Sequence, residues 1–379
     1  MSAQDFLKIG TFVGRVWRED VQGPSVVVIR NGQVIDITST IIPTMRDLLE
    51  MGDPAAYVAQ SVGEPIADIS NLLNSGSDGR VHLLAPIDLQ SVKACGVTFA
   101  RSMIERVIEE RAAGNPELAT RIRGRIAAVI GESIRDLKAG SAAAEQVKTA
   151  LIDEGVWSQY LEVGIGPDAE VFSKAQVLSS VGHGAEVGLH PASKWNNPEP
   201  EVVLAVNSQA RIVGATLGND VNLRDIEGRS ALLLGKAKDN NASCSIGPLL
   251  RLFDETYDLD DVRTAELTLT VEGDDGFLLR GHSSMKEISR DPLDLVVQTI
   301  GPHHQYPDGL VLFMGTLFAP TEDRGQLGQG FTHHVGDVVS ISNSELGTLR
   351  NMVRLSTECP PWVFGASHLM RNLAERGLL

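Results

Sequence analysis

The chain has 379 residues, of which 33 are basic and 49 acidic, giving a formal net charge of −16. That balance argues against a nucleic-acid-binding role, which needs a basic face to neutralise phosphates. No apolar run reaches the roughly eighteen residues a membrane span requires. Three scattered cysteines (Cys95, Cys244, Cys359) make neither a disulfide framework nor a zinc knuckle. A 42% hydrophobic and 22% charged composition supplies an ordinary core. The N-terminal stretch Met1 to Asp5 lacks a signal-peptide pattern, so the expected setting is the cytoplasm.

The first 85 residues read as a small β-rich unit. Thr11 to Trp17 and Ser25 to Ile29 have strand composition. Arg30-Asn31-Gly32-Gln33 predicts a tight hairpin, because Asn-Gly accepts the positive φ of a type I′ turn. Met45 to Met51 and Pro54 to Ser61 read as short helices over that hairpin. From about 101 to 154, alanine, arginine and glutamate dominate, with apolar residues at helical spacing (Ile122, Ile126, Val129, Ile130, Ile134, Leu137). Beyond Val163, short apolar runs alternate with glycine, proline and asparagine, as in Val202 to Val206, Leu267 to Val271 and Gly309 to Phe313. Many short strands with frequent turns predict a β-sandwich or barrel-like roll with a few helices. Cys359-Pro360-Pro361-Trp362 breaks the pattern before a final helix.

The most informative segment is Asn197-Pro198-Glu199-Pro200-Glu201, entering the apolar run from Val202. On a strand, residues two apart share a face, so Glu199 and Glu201 project together. Proline at 198 and 200 suits a strand start or an edge. Paired carboxylates repel unless a cation or proton lies between them. A third carboxylate, Asp220, follows one hairpin-sized interval later, and three converging carboxylates suit a hard cation such as Mg²⁺. The alternative is two solvated glutamates at a strand start and a turn aspartate. Downstream, Leu234-Gly235-Lys236-Ala237-Lys238-Asp239 offers a lysine as acid, base or charge partner. No GxxxxGK[ST] pattern accompanies it, which argues against nucleotide binding.

Five segments in order resemble the fumarylacetoacetate hydrolase family: Glu199-x-Glu201, Asn219-Asp220-x-x-x-Arg224-Asp225, Gly235-Lys236, Ile246-Gly247-Pro248 and Met314-Gly315-Thr316. Each is weak singly; the ordered set is specific. Leu346 to Asn351 resembles the closing strand, and the likeness covers about residues 90 to 355. It implies an α+β, β-rich fold, a mixed β-sandwich roll, with a small N-terminal domain (1–85) and a catalytic domain (86–379) carrying a helical insertion. It also implies a homodimer or homotetramer. Glu199, Glu201 and Asp220 match the family's Mg²⁺ ligands, with Mn²⁺ or Ca²⁺ as other occupants. Lys236 matches the active-site lysine, Arg224 a site arginine, and Gly315-Thr316 a substrate-contacting pair. Lys174 matches a recurring lysine of open role.

One segment departs from the hydrolases. Their Gly-x-Asn-Tyr-x-x-His-x-x-Glu is replaced by Gly96-Val97-Thr98-Phe99-Ala100-Arg101-Ser102-Met103-Ile104-Glu105, so serine stands where the water-activating histidine would be. Glu227 also replaces a usual glutamine. This version is similar to the 2-keto-3-deoxy-pentonate dehydratases of non-phosphorylative D-xylose and L-arabinose breakdown, as is the segment from Cys359 to Leu373. The implied activity is Mg²⁺-dependent loss of water from a 2-keto-3-deoxy-pentonate, giving 2,5-dioxopentanoate. Lys236 and Glu105 are the expected proton-transfer groups, with Ser102, Thr98 and Arg101 at the substrate's hydroxyl end. Two other functions remain: acylpyruvate hydrolysis or decarboxylation on the same metal with His183 or His190 as base, and a non-enzymatic scaffold. His303-His304 and His333-His334 read as loop or core histidines.

Overall fold

The computed structural model describes residues 5–379 apart from 75, 77, 78, 100–102, 104–120, 122, 123, 125–136, 154, 156, 157, 319–321 and 325–329. The expected N-terminal strands form as β1 (Thr11–Arg18), β2 (Gly23–Arg30) and β3 (Gln33–Asp36), followed by β4 (Glu64–Asp68) and β5 (Val81–Leu84). Asn31 and Gly32, at φ 51° and 78°, make the predicted turn between β2 and β3, with Arg30 opposite Gln33. Helices at Met45–Leu49 and Pro54–Gln60 are capped by the side chains of Thr44 and Asp53. Within the predicted helical insertion, Ala142–Asp153 is a helix, and Gln159–Ile165 is another just beyond it.

The remaining strands are β6 (Ser91–Gly96), β7 (Glu170–Ala175), β8 (Glu186–Leu189), β9 (Pro200–Val206), β10 (Ile212–Asp220) and β11 (Cys244–Leu252). They are followed by β12 (Glu266–Glu272), β13 (Leu278–Ser284), β14 (Leu310–Phe313), β15 (Val338–Asn343) and β16 (Gly347–Leu355). Eleven strands form one sheet in the order β4-β3-β2-β1-β11-β10-β9-β14-β6-β7, with β5 attached to β1. Five form the second, β13-β12-β15-β16-β8. This is the expected β-rich sandwich roll. The strands of residues 1–85 enter the large sheet directly, through β1 against β11.

The packing follows from strand alternation. On β9 every residue is buried. Val202, Leu204 and Val206 face a core shared with Leu267, Leu269, Ile341 and Leu349 of the small sheet. Val203 and Ala205 face a second core with Ile246, Val311 and Phe313. β12 instead alternates, with Leu267, Leu269 and Val271 inward and Glu266, Thr268 and Thr270 outward or half-buried. Two central strands buried on both faces, β9 and β10, therefore carry Glu201 and Asp220 to the edge of the core.

Candidate active site

Pro200 opens β9, where a missing donor costs nothing, and β9 lies between β10 and β14 rather than at a sheet edge. Extended chain before it keeps Asn197 and Glu199 in phase with Glu201. Across the ladder Gly218 lies opposite Glu201, and the Asp220 amide donates to the Glu199 carbonyl at 3.0 Å. Asp220 ends β10, so the three carboxylates reach one point. One oxygen from each lies within 4.8 Å of the others, and Glu201 and Asp220 are each only 2% exposed.

Two lysines hold Asp220. The Lys174 ammonium, fully buried, pairs with Oδ1 at 2.8 Å and also donates to the backbone carbonyls of Val221 and Lys238. The Lys238 ammonium lies 3.0 Å from Asp220 Oδ2 and 2.6 Å from Glu199 Oε2. Lys236, the lysine expected here, is exposed on the outer side of the short helix Leu234–Lys238, and Lys238 stands in its place. Two residues along a helix is a rotation of about 200°, so only one of the pair can face inward.

Burial pushes the Glu201 carboxyl well above the usual carboxylate range, with Asp220 and Glu199 adding repulsion. Glu199 is raised by the same burial, against the pull of Lys238. Burial also acts on Asp220, but Lys174 and Lys238 outweigh it and hold that carboxyl low. For Lys238, burial opposes the charge, yet Asp220, Glu199 and Glu227 keep the ammonium firmly protonated. Glu201 accepts a hydrogen bond from the Gly315 amide at 2.6 Å. Three carboxylates thus share a buried point with one ammonium inserted between two of them. Hard oxygen donors with surplus negative charge fit a single divalent cation.

The site opens into a cavity of about 300 Å³. Arg224, Gly315 and Thr316 line it, as expected. Arg224 stacks over the Trp195 ring at 4.5 Å. Gly315 needs to be glycine: its φ is +87°, and a Cβ would meet Thr98 Oγ1 at 2.1 Å. Thr98 lies behind that glycine, buried, donating its hydroxyl to the Met314 carbonyl rather than lining the cavity. Val97 does line it, and its φ of 55° is a strained value for a β-branched side chain. Arg101, Ser102 and Glu105 lie outside the described residues.

His183 and His190, the bases required for hydrolysis, are elsewhere. His183 is buried between the Leu73 carbonyl and the Arg350 amide, and His190 accepts from the Ala192 amide. Neither lines the cavity.

Several lining residues were not singled out beforehand. Glu170 and Phe172 precede Lys174 by four and two positions on β7, so strand alternation places all three toward the site. Burial, and repulsion from Glu227, raise the Glu170 carboxyl. Asn222 Nδ2 donates to Glu199 Oε1 at 2.9 Å and to Glu227 Oε2 at 2.6 Å, which orients both carboxylates. The signal for Asn197 and Asn222 was the same two-residue period running outward from Glu199 and Asp220.

A β-sandwich roll with a buried carboxylate triad and lysine at the end of two paired strands defines a candidate divalent-metal site. Residues 165–354 match the fumarylacetoacetate (FAA) hydrolase C-terminal family, half of the chain, and the protein belongs to that family. A probable 2-keto-3-deoxyxylonate dehydratase of Haloferax volcanii is 33% identical over 194 residues, 51% of this chain and 63% of that relative. A 2-dehydro-3-deoxy-D-arabinonate dehydratase of Saccharolobus solfataricus is 25% identical over 287 residues, 76% of this chain and 79% of that relative. A solved 2-keto-3-deoxy-D-arabinonate dehydratase complexed with magnesium and 2,5-dioxopentanoate superposes with a TM-score of 0.63 at 20% identity, over 91% of this chain and 99% of its own. A fumarylacetoacetate hydrolase from Exiguobacterium antarcticum superposes with a TM-score of 0.56 at 16% identity, over 91% and 99%. Both solved structures share the fold.

Proposed function

We propose that the protein is a Mg²⁺-dependent hydro-lyase that removes water from a 2-keto-3-deoxy-pentonate to give 2,5-dioxopentanoate. The observation that carries this is the convergence of Glu199, Glu201, Asp220 and Lys238 in one buried cavity. The dehydratase names of the two sequence relatives support it, as does the magnesium and 2,5-dioxopentanoate complex of the fold relative. Glu199, Glu201 and Asp220 would hold the cation, which supplies Lewis-acid polarisation of the 2-oxo acid when bound. Lys238 keeps its proton and orients Glu199 and Asp220. Glu170, on the same cavity wall with a raised carboxyl, can hold a proton for the departing hydroxyl. Arg224 and Thr316 lie where they can steady the substrate.

Acylpyruvate hydrolysis on the same centre requires a water-activating base, and the two histidines named for that role are committed to backbone groups away from the cavity. A substrate panel separates the two activities. 2-Keto-3-deoxy-xylonate and 2-keto-3-deoxy-arabinonate should yield an aldehyde, and acylpyruvates should release no pyruvate. Pyruvate release with no aldehyde would replace dehydration by hydrolysis.

A further inference from the structure

The floor of the cavity is balanced for a single anion. Glu199, Glu201 and Asp220 supply three negative charges, and the ammoniums of Lys174 and Lys238 supply two positive ones. A divalent cation at that point leaves one positive charge over, which the carboxylate of one 2-oxo acid cancels. The other charged groups on the described lining are Glu170, Glu227 and Arg224, two acidic and one basic. Arg224 stacks on Trp195, whose 41% exposure marks the mouth. The wall of the cavity is therefore negative where its floor is already balanced.

Glu227 lies next to that floor. Asn222 Nδ2 donates to Glu227 Oε2 at 2.6 Å and to Glu199 Oε1 at 2.9 Å, so one amide nitrogen separates Glu227 from the carboxylate triad. The bond to Asn222 needs only an acceptor oxygen, which a neutral glutamine would supply equally well. The hydrogen bond thus does not account for the charge. The charge is felt across the cavity instead: after burial itself, repulsion from Glu227 is the main cause that raises the Glu170 carboxyl. Coulomb forces act over several ångströms, so Glu227 acts on a ligand in this cavity without having to touch it.

We infer that Glu227 is a charge filter: the cavity takes 2-oxo acids with one carboxylate and turns away those carrying a second at the far end. This rests on the proposed function for the placement of the ligand, with its 2-oxo acid group at the triad and its chain along the wall. A second carboxylate about 6 Å from Glu227, at an effective dielectric of about 20 to 40, is disfavoured roughly tenfold to a hundredfold. The net charge of −16 also repels a dianion, but salt largely screens exposed charges beyond ~10 Å, and a half-buried neighbour much less. Salt therefore separates the local filter from the charge of the whole molecule.

The experiment measures binding of 2-oxopentanoate and of 2-oxoglutarate, the same chain ending in a second carboxylate, to Mg²⁺-loaded full-length protein by calorimetry. Turnover of 2-keto-3-deoxy-pentonate is followed separately. Wild type should bind 2-oxopentanoate at least about tenfold more tightly, at about 0.1 M salt and at about 0.5 M alike. Glu227→Gln, which keeps the shape and the acceptor for Asn222, should lose about tenfold of that preference by strengthening 2-oxoglutarate alone. Glu227→Asp, which keeps the charge, should retain the preference. Equal binding of the two ligands by wild type would overturn the filter, as would an undiminished preference in Glu227→Gln or its loss in Glu227→Asp. A parallel change for both ligands in Glu227→Gln would also overturn it, because the residue would then act on the metal site and not on the far end of the ligand. So would a preference that vanishes at the higher salt, which would belong to the net charge. Selective binding without aldehyde formation would sink the hydro-lyase while leaving the filter standing. Turnover without selectivity would do the reverse.

Discussion

Lys238 bridges Glu199 and Asp220 in a place where its ammonium is almost entirely shielded from water. Removing one partner of a buried ion pair leaves the others uncompensated, a cost of about 3–5 kcal/mol. Lys238→Met should therefore lower unfolding free energy by about that amount in urea titrations with chelator present. Saturating Mg²⁺ should recover more stability in the variant than in wild type, since the cation then neutralises carboxylates that have lost their ammonium. Lys236→Ala, on the exposed side of the same helix, should change stability by no more than about 0.5 kcal/mol and leave turnover intact. If Lys236→Ala were the damaging change, the placement of the two lysines would be wrong. The carboxylates were legible in the sequence because a strand has a period of two and an apolar run announces it. The lysine was not, because a five-residue helix gives too short a pattern to fix its phase.

Elements explain which other features could be read in advance. The Asn31-Gly32 turn was legible because few sequences accept two successive residues at positive φ, and both angles are positive in the fold. Gly32→Ala meets no steric obstacle, yet its φ of 78° is unfavourable for a side chain. Unfolding free energy should drop by about 1 kcal/mol in a denaturant titration, without loss of metal binding. The alternation of β12 was equally visible, whereas β9 is apolar on both faces and so names its burial but not its neighbours. Strand order was not legible at all. The contact between β1 and β11 joins residues about 240 positions apart, and only the three-dimensional packing of shared cores such as Val13 with Leu250 selects it. Glu170 escaped notice for the same reason, since β7 meets the site through non-local pairing with β6.

At the scale of the whole molecule, His183 ties distant parts together. Its Nε2 donates to the Leu73 carbonyl at 2.9 Å, and its Nδ1 accepts from the Arg350 amide of β16 at 3.3 Å. Both ring nitrogens are thus satisfied in the neutral form, and burial lowers its pKa below the ordinary 6.5. A group whose pKa is depressed on folding contributes fully above its unfolded value, and its contribution is lost as pH falls through the folded one. The midpoint of thermal unfolding should therefore decline as pH drops from about 7 toward 5, and His183→Gln should show a smaller decline. An equal decline in both proteins would show that His183 does not contribute. No helix among the described residues is long and apolar enough to cross a membrane.

The formal charge of −16 gains a specific meaning at this scale, since three of the acidic groups converge on one buried point. The proposed function requires that this point hold the divalent cation on which loss of water depends. The most direct test is the rate of 2,5-dioxopentanoate formation from a 2-keto-3-deoxy-pentonate as Mg²⁺ is titrated into chelator-treated protein, for wild type and Glu201→Gln. Wild type should rise from no turnover to a saturable maximum, and Glu201→Gln should stay at least about a hundredfold lower with weakened dependence on the metal. Aldehyde formation at full rate without added metal, or an unaffected Glu201→Gln, would contradict the account.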